Sequence, residues 1–174
     1  MGKMMSPNTR IDWIDDSNTV LVATVATPYD PANPRVGHFS DATNISCAIE
    51  SGYKLNPTKS DTNNKKSICE DANVETPVRY NYEGDLTFFR EGDLAATTSP
   101  FAIAFAFFGT ARKTGYLVRR TGMRSTVATA IGHVVDSFKF ISDFPKDVID
   151  NDLIEFSAKF HPQGHMELAK TVVA

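Results

Sequence analysis

The chain has 174 residues, of which 41% are hydrophobic and 22% are charged, and its net charge is −3 at pH 7. One domain with a hydrophobic core fits this length, and the composition excludes a disordered or collagen-like chain. The acidic balance disfavours a general nucleic-acid-binding protein, which would carry a basic surface. Because the chain holds 13 Val, 10 Ile and 17 Thr but 7 Leu, and β-branched residues favour strands, we expect a mainly β protein.

The N-terminal part of the chain alternates polar and apolar stretches. Residues 1–18 are polar and rich in aspartate, and we expect an arm that docks through Trp13. Thr19–Ala26 is an apolar run of strand length, followed by a loop that contains several prolines. In Asn44–Ser51, apolar and polar residues alternate with the period of two that is typical of a half-buried strand.

A long polar segment follows at Asn56–Pro77. It is predicted to be a loop, and loops longer than about 12–15 residues in compact domains are usually functional or disordered. Val78–Arg90 then resembles a strand, in which Gly84 is expected to introduce a break or a bulge.

The clearest helix signal lies at SPFAIAFAFF. Ser99 can cap the helix, Pro100 suits its first turn, and Gly109 can end it. The phenylalanines also alternate as in a strand, but the intervening alanines favour a helix over residues 100–108. This helix is apolar on nearly all sides, so we expect it to be buried on more than one side.

The remaining strands are predicted at Gly115–Arg120, in two short runs within Thr126–Ser142, and at Leu153–His161, where apolar and polar residues alternate. An acidic turn at Asp143–Asp152 separates the last two. The predicted organisation is an N-terminal arm (1–18), one β domain (19–161) and a C-terminal arm (162–174).

No catalytic or metal-binding pattern is found in the sequence. His161 and His165 have a helical zinc-ligand spacing, but a proline and a glycine between them exclude a helix. Cys47 and Cys69 are interpreted as reduced thiols, and neither a nucleophile elbow nor a phosphate-binding loop is present. We therefore expect no enzyme, no cofactor and no metal. No apolar run is long enough for a transmembrane helix, so no membrane insertion is expected.

Charged residues are unevenly placed. A basic cluster without acids comprises Arg112, Lys113, Arg119, Arg120 and Arg124. An acidic cluster follows at Asp143, Asp147, Asp150, Asp152 and Glu155. Two interpretations stay open: two solvated surfaces, or complementary patches that meet between subunits and set their register.

Taken in order, the elements resemble the tail tube protein of long, flexible-tailed bacteriophages. The resemblance rests on NISCAIES, the polar segment SDTNNKKSICEDANVETP, the return strand VRYNYEGDLTFFRE, the helix SPFAIAFAFF, and the strands GYLVRR and DLIEFSAKF. Ile45–Thr62 and Tyr80–Arg90 also resemble major tail proteins of phages that infect actinobacteria.

The resemblance implies a β-sandwich or partial barrel of about six to eight strands, flanked by one helix. It further implies six subunits in a ring, stacked rings forming a tube, and double-stranded DNA as transported cargo. Residues 56–77 would be the ring-to-ring stacking loop. Expected partners are other copies of the chain and the tape measure, tail terminator and distal tail proteins, and the expected location is the virion tail, after synthesis in the host cytoplasm. The expected subunit-contact residues are Asp61, Thr62, Lys65, Lys66, Glu70, Asp71, Arg119, Arg120, Asp147 and Asp150.

Two other functional classes stay open at this point. One is a ring-forming tail-completion or secretion-tube relative, which closes rings without open-ended stacking. The other is a small carbohydrate- or calcium-binding β-sandwich module.

Overall fold

The computed structural model describes residues 8–22, 25–63, 76–93, 95–109, 112–150 and 153–174. The strands are β1 (Thr9–Asp15), β2 (Thr19–Val22), β3 (Val25–Pro28), β4 (Thr43–Asn44), β5 (Lys54–Asn63), β6 (Thr76–Phe89), β7 (Thr114–Thr121), β8 (Val134–Ser142), β9 (Lys146–Asp150) and β10 (Leu153–Thr171). One α-helix, α1, spans Pro100–Gly109, and short 3-10 turns lie at Val36–Phe39 and Ser46–Ala48.

Eight strands form one antiparallel sheet, and this confirms the predicted mainly β fold with one helix. The strand order is β4-β1-β7-β8-β10-β6-β5, and β9 pairs with the first part of β10. The long strand β10 organises the sheet. One of its edges pairs with β6, while its other edge pairs first with β9 and then, from Phe160 onward, with β8. A separate two-stranded sheet consists of β2 and β3.

Helix α1 packs on one face of the main sheet and completes what we call the helix-side core. Ser99 caps the helix, because its hydroxyl accepts a hydrogen bond from the backbone N–H of Ala102 at 3.1 Å. Phe108 is fully buried and lies edge-on to Trp13 of β1, with ring centroids 5.8 Å apart. The helix is not enclosed on all sides, however, since Ile103 is 43% exposed within the subunit.

The opposite face carries a second, smaller core, but only over strands β1, β7 and β8. The segment after β3 covers it through Tyr29 and Phe39, which pack on Tyr116 and Val118 of β7. The Tyr29 hydroxyl lies 2.7 Å from the Ser137 Oγ. Burial raises the pKa of Tyr29 far above its usual value, so its phenol stays neutral.

Part of the predicted N-terminal arm, 1–18, is the strand β1 of the main sheet, while its residues 1–7 lie outside the described residues. All seven residues of β1 pair with β7, and Ile11 and Trp13 enter the helix-side core, while Ile14 enters the second core. Trp13 is buried as predicted, but it belongs to an interior strand. Gly115 makes this fit possible, because a Cβ at that position would collide with the Ile14 carbonyl oxygen and lie 2.9 Å from the Trp13 ring.

Two further short strands differ from their predicted form. The sequence predicts one strand over Thr19–Ala26, but the described ends of this run belong to the two strands of the β2-β3 hairpin. Asn44–Ser51 contains only the last residue of β4, followed by a 3-10 turn. Ser46 favours this turn, because its backbone N–H donates to the Asn44 Oδ1 at 3.0 Å while its hydroxyl donates to the Ile11 carbonyl at 3.2 Å.

The predicted loop 56–77 and C-terminal arm 162–174 also contain long strands. The chain stays in β5 up to Asn63 and is in β6 from Thr76, and β10 continues to Thr171. Register shifts interrupt β10 after Pro162. There the Tyr82 hydroxyl donates to the Lys139 carbonyl at 2.6 Å and accepts from the backbone N–H groups of Gln163 and His165.

Gly84 neither breaks nor bulges β6, which runs through it without interruption. A Cβ there would lie 2.7 Å from the Phe140 ring, so the absent side chain makes room for that ring.

Candidate assembly surfaces

The hairpin of β5 and β6 contains the first predicted stacking residues. Asp61 pairs with Arg79 and Thr62 with Pro77 in the strand register. Asp61 also accepts a 2.9 Å hydrogen bond from the Asn81 side-chain amide. The predicted contacts Lys65, Lys66, Glu70 and Asp71 lie outside the described residues.

The hairpin extends beyond the core of the subunit. Tyr82 and Tyr80 have the same parity on β6, but Tyr82 is 4% exposed and Tyr80 is 73% exposed. The core therefore ends between these two residues, and Asp61 and Thr62 lie still farther along the hairpin. Strand β5 also has a free edge in the described sheet.

Arg119 of the basic cluster is held within its own subunit. Its Nη2 donates to the Asp136 Oδ2 at 2.8 Å, and its Nη1 donates to the Leu55 carbonyl at 2.6 Å. The guanidinium also lies over the Phe138 ring, 5.7 Å from its centroid. Arg119 thus connects β7, β8 and the start of β5.

Arg120 faces the other side of β7 and is 2% exposed. Its guanidinium donates to the carbonyls of Arg124 at 2.9 Å and Ala128 at 3.0 Å, so it holds the loop between β7 and β8. Burial, followed by the neighbouring Arg10 charge, lowers the pKa of Arg120.

Arg10 and Asp12 of β1 form the second part of this buried charge clip, a name we use for Arg10, Asp12 and Arg120. The Arg10 Nε donates to the Asp12 Oδ2 at 2.7 Å, and its Nη1 donates to the carbonyls of Ser125 and Val127. Burial raises the pKa of Asp12, and the Arg10 guanidinium opposes that shift. These two residues were not predicted to matter. The alternation of Arg10, Asp12 and Ile14 with Ile11 and Trp13 is the signal that identifies them.

The predicted acidic turn contains strand β9. Asp147 is exposed and forms an ion pair with Arg90, whose Nη1 lies 2.9 Å from the Asp147 Oδ1. The Arg90 guanidinium also stacks on the Phe105 ring of α1. The side chain of Asp150 lies outside what the structure describes. The structure therefore pairs Asp147 and Arg119 with charges of their own subunit, and their contact across subunits stays a prediction.

The histidines near the turn each face a carboxylate. The His161 Nε2 lies 3.6 Å from Asp143 and the His165 Nε2 lies 3.9 Å from Glu167. A hydrogen bond from the Phe144 backbone N–H, followed by His161, lowers the pKa of Asp143. Over the described ranges, the His, Cys, Asp and Glu side chains form no group of three that could hold a metal ion.

One face of the β9-β10-β6-β5 portion of the sheet is left uncovered by the described residues. It lies opposite the helix-side core, and we call it the bare face. Lys54, Asp85 and Lys159 form one cross-strand row, and Asn56 and Glu83 begin the next. An open groove of about 620 Å³ runs along this face between β6 and the break that separates β8 from β9.

The model of one protein family, described as phage tail tube protein, matches residues 7–174. The chain belongs to the phage tail tube protein family. It is therefore a structural component of a phage tail. None of the helices in the described ranges has the length and apolar character needed to span a membrane.

The other comparisons add little to this assignment. No curated protein matches the chain. Among solved structures, a chain of the "Cryo-EM structure of the anti-feeding prophage (AFP) baseplate, 6-fold symmetrised" is 12% identical, with a TM-score of 0.49 over 98% of this tail tube protein and 97% of that chain.

Proposed function

We propose that this tail tube protein assembles into hexameric rings, and that the rings stack into the tube through which a long-tailed phage delivers its DNA. The tape measure, tail terminator and distal tail proteins would be its further partners in the virion. The family match over residues 7–174 is the observation that carries the proposal. The proposed role is structural, and no catalytic step is assigned to the chain.

The free edge of β5 supports self-association. An edge strand presents unpaired backbone N–H and C=O groups, which proteins usually shorten, cover or pair. Strand β5 is ten residues long and pairs only with β6 among the described strands. The Leu55 carbonyl already accepts from Arg119, and a neighbouring copy of the same chain would satisfy the edge groups that remain.

The exposed hairpin of β2 and β3 supports the same conclusion. Leu21 is 77% exposed and Val25 is 64% exposed, and the described part of this hairpin carries no charged residue. Exposed apolar groups on a small independent sheet favour burial against another surface.

The β5-β6 hairpin is the proposed stacking element. The hairpin leaves the core between Tyr82 and Tyr80, and the described side chains beyond that point, Tyr80, Asp61 and Thr62, are not buried in their own subunit. Contact with the next ring would compensate the entropy lost when such a polar segment becomes ordered.

A hairpin deletion tests the stacking role. Removing Thr62 to Asn73 joins Asp61 directly to Val74. A short link then remains between Asp61 and Arg79, which are partners in the strand register. We expect the variant to keep its β circular dichroism and cooperative unfolding but to form no tubes in negative-stain microscopy. Tubes like those of the parent would contradict the role.

The size of the assemblies separates this proposal from the other classes. Long tubes of the unmodified protein support the tail tube. Closed rings that never elongate would indicate a tail-completion or secretion-tube relative. A monomer at all concentrations that responds to sugar or calcium would indicate a binding module.

Complementary charges between subunits remain part of the proposal. Reversing Arg119 or Arg120 would break buried or half-buried contacts inside the subunit. Arg124 and Asp147 are exposed, and Asp147 makes a surface ion pair with Arg90, so these two residues are better probes. We expect Arg124→Glu and Asp147→Lys each to slow assembly, and the double variant to recover part of the rate. Asp41→Lys, at another exposed site, is the matched control. Absence of recovery would leave the clusters as separate solvated surfaces.

A further inference from the structure

Two apolar surfaces of the subunit stay exposed in the part of the chain that the structure describes. One is the β2-β3 hairpin, in which Leu21 is 77% exposed and the sequence Thr19–Pro28 contains no charged residue. The other lies in the loop between β7 and β8 and at the first residue of β8. We call it the loop platform, and its exposed apolar side chains are Met123, Val127, Ile131 and Val134.

The buried charge clip holds the backbone of the loop platform from the inside. Its two guanidiniums donate to four carbonyls of the loop, those of Arg124, Ser125, Val127 and Ala128. The far end of the loop is fixed as well, because the Gly132 N–H donates to the Val172 carbonyl at 2.9 Å. A surface that is ordered before contact loses less conformational entropy when a partner binds it.

Buried charges contribute little to net stability, because the cost of removing them from water offsets much of their attraction. Apolar side chains at the same positions could serve the core as well. The clip therefore does more for the loop than for the core, since it fixes one conformation with the carbonyls inward and the apolar side chains exposed. Both faces of the sheet are covered here, so the loop beyond the strand ends is the part that is open to another molecule.

The hairpin and the loop platform lie at opposite ends of β7. The hairpin follows Asp15, which pairs with Gly115 near the start of β7, whereas the loop begins after Thr121 at the end of β7. Two different surfaces at opposite ends of one subunit can meet between copies in a head-to-tail arrangement. Such a contact repeats in an open-ended way unless it closes into a ring.

The β5-β6 hairpin points toward the same end of the sheet as the loop platform. Strands β6 and β8 both pair antiparallel with β10, so their first residues, Thr76 and Val134, point the same way. The proposed function assigns the end that carries the β5-β6 hairpin to contact with the next ring. The loop platform is therefore directed toward that ring as well.

We propose that the loop platform receives the β2-β3 hairpin of a second copy, located in the next ring of the tube. This inference rests on the proposed function and adds a second contact between rings. The hairpin brings no charged group that would have to lose its water, and the loop at residues 122–132 contains one, Arg124. A hairpin of two short strands covers less than the roughly 800 Å² per partner that a stable interface buries. Free subunits therefore stay apart, whereas the copies of this contact around a ring act together.

Chemical cross-linking of assembled tubes tests the contact. In a background with Cys47→Ser and Cys69→Ser, one chain carries both Leu21→Cys and Ile131→Cys, and its tubes are treated with a short bifunctional maleimide. We expect denaturing electrophoresis to show covalent ladders well beyond six chains, because each ring is joined to the next. The matched control carries Thr98→Cys, at an exposed site before α1, in place of Ile131→Cys. It should be cross-linked at least tenfold less.

The length of the ladder decides between the possible arrangements. A ladder that stops at six chains would place the contact within one ring, and a ladder no stronger than that of the control would remove the contact. Either result would overturn the inference, although the tube itself would stand. If the parent stays monomeric at all concentrations, the proposed function fails and this inference fails with it.

A charge swap gives an independent readout of the same contact. Leu21→Asp and Ile131→Lys each place an unpaired charge in an apolar contact. We expect each to raise the protein concentration needed for tubes at least tenfold, and the double variant to recover at least threefold. Since both sites are exposed, urea denaturation of the subunit should be unchanged, and Thr98→Asp should assemble like the parent. Tubes formed equally well by both single variants would overturn the proposal and leave the two surfaces to another tail protein.

Discussion

The two ends of the main sheet differ in how completely their faces are covered. Around β1, β7 and β8, both faces are covered, one by α1 and the other by the segment that contains Tyr29. Around β9, β10, β6 and β5, the residues that the structure describes cover only the helix side. The covered end is therefore built for the stability of the subunit, whereas the half-covered end retains a surface and an edge for other molecules.

Charged residues follow the same division. At the covered end, Arg10, Asp12 and Arg120 are buried. Asp12 accepts from Arg10, and the two guanidiniums donate to carbonyls of the loop between β7 and β8. At the half-covered end, Lys54, Asp85 and Lys159 are exposed in one cross-strand row. Buried charges are sensitive to the loss of one partner, but exposed pairs contribute little to stability. This contrast predicts opposite responses to the same kind of substitution.

The largest expected effect is in the core at the covered end. Trp13→Ala removes a fully buried ring that contacts Phe108 and Phe160 edge-on or tilted. We expect a loss of about 3–5 kcal/mol in the free energy of unfolding, measured by urea denaturation. Thr87→Ala, on the bare face, should change it by about 0.5 kcal/mol or less. Similar losses in both variants would remove the distinction between the two ends.

The buried charge clip gives the next effect. Asp12→Ala leaves Arg10 without its carboxylate in a buried site, and we expect a loss of about 3 kcal/mol. Asp85→Ala, which removes a carboxylate from the exposed row, should cost no more than about 1 kcal/mol. Limited proteolysis should also show faster cleavage between Met123 and Val127 in Asp12→Ala, because Arg10 no longer holds that loop in place. If the rate of cleavage is unchanged, the buried charge clip does not hold this loop in place.

The sequence allowed local elements to be predicted but not the faces on which they pack. Helix α1 and strand β7 were found because capping residues and a short apolar run are local signals. The sequence predicts an arm at β1 because two charged residues, Arg10 and Asp12, alternate there with the apolar residues, although that alternation is itself a strand signal. The carbonyls that hold the Arg10 guanidinium in a buried site lie more than a hundred positions away, and no local pattern shows them.

The hairpin illustrates the same limit at the half-covered end. KLNPTKSDTN of β5 is polar because one face is bare and one edge is free, and a polar stretch of this kind is also typical of a loop. Charge clusters in the sequence suggested contacts between subunits, but the linear order could not show that Arg119 faces Asp136 or that Arg120 faces backbone carbonyls. Their proposed intersubunit role therefore has to be tested at the exposed members.

The smallest effect concerns Tyr29, which covers the second core and has no counterpart at the half-covered end. Tyr29→Phe removes the contact with Ser137 and should cost about 1 kcal/mol at neutral pH. Burial raises the pKa of Tyr29 in the folded protein, whereas tyrosine in the unfolded chain ionises near pH 10. Ionisation then favours the unfolded chain, so stability is full below about pH 10 and falls as pH rises further.

Removing this phenol should therefore make unfolding less dependent on alkaline pH. We expect the slope of the free energy of unfolding above pH 10 to be shallower by about 1.4 kcal/mol per pH unit in Tyr29→Phe than in the parent. Burial also raises the pKa of Tyr82 and Tyr116, so part of the slope persists. Tyr80→Phe is the control, because that side chain is 73% exposed. A slope that is the same for Tyr29→Phe and the parent would mean that the Tyr29 phenol ionises as readily in the folded subunit as in the unfolded chain, and that the second core does not exclude water from it.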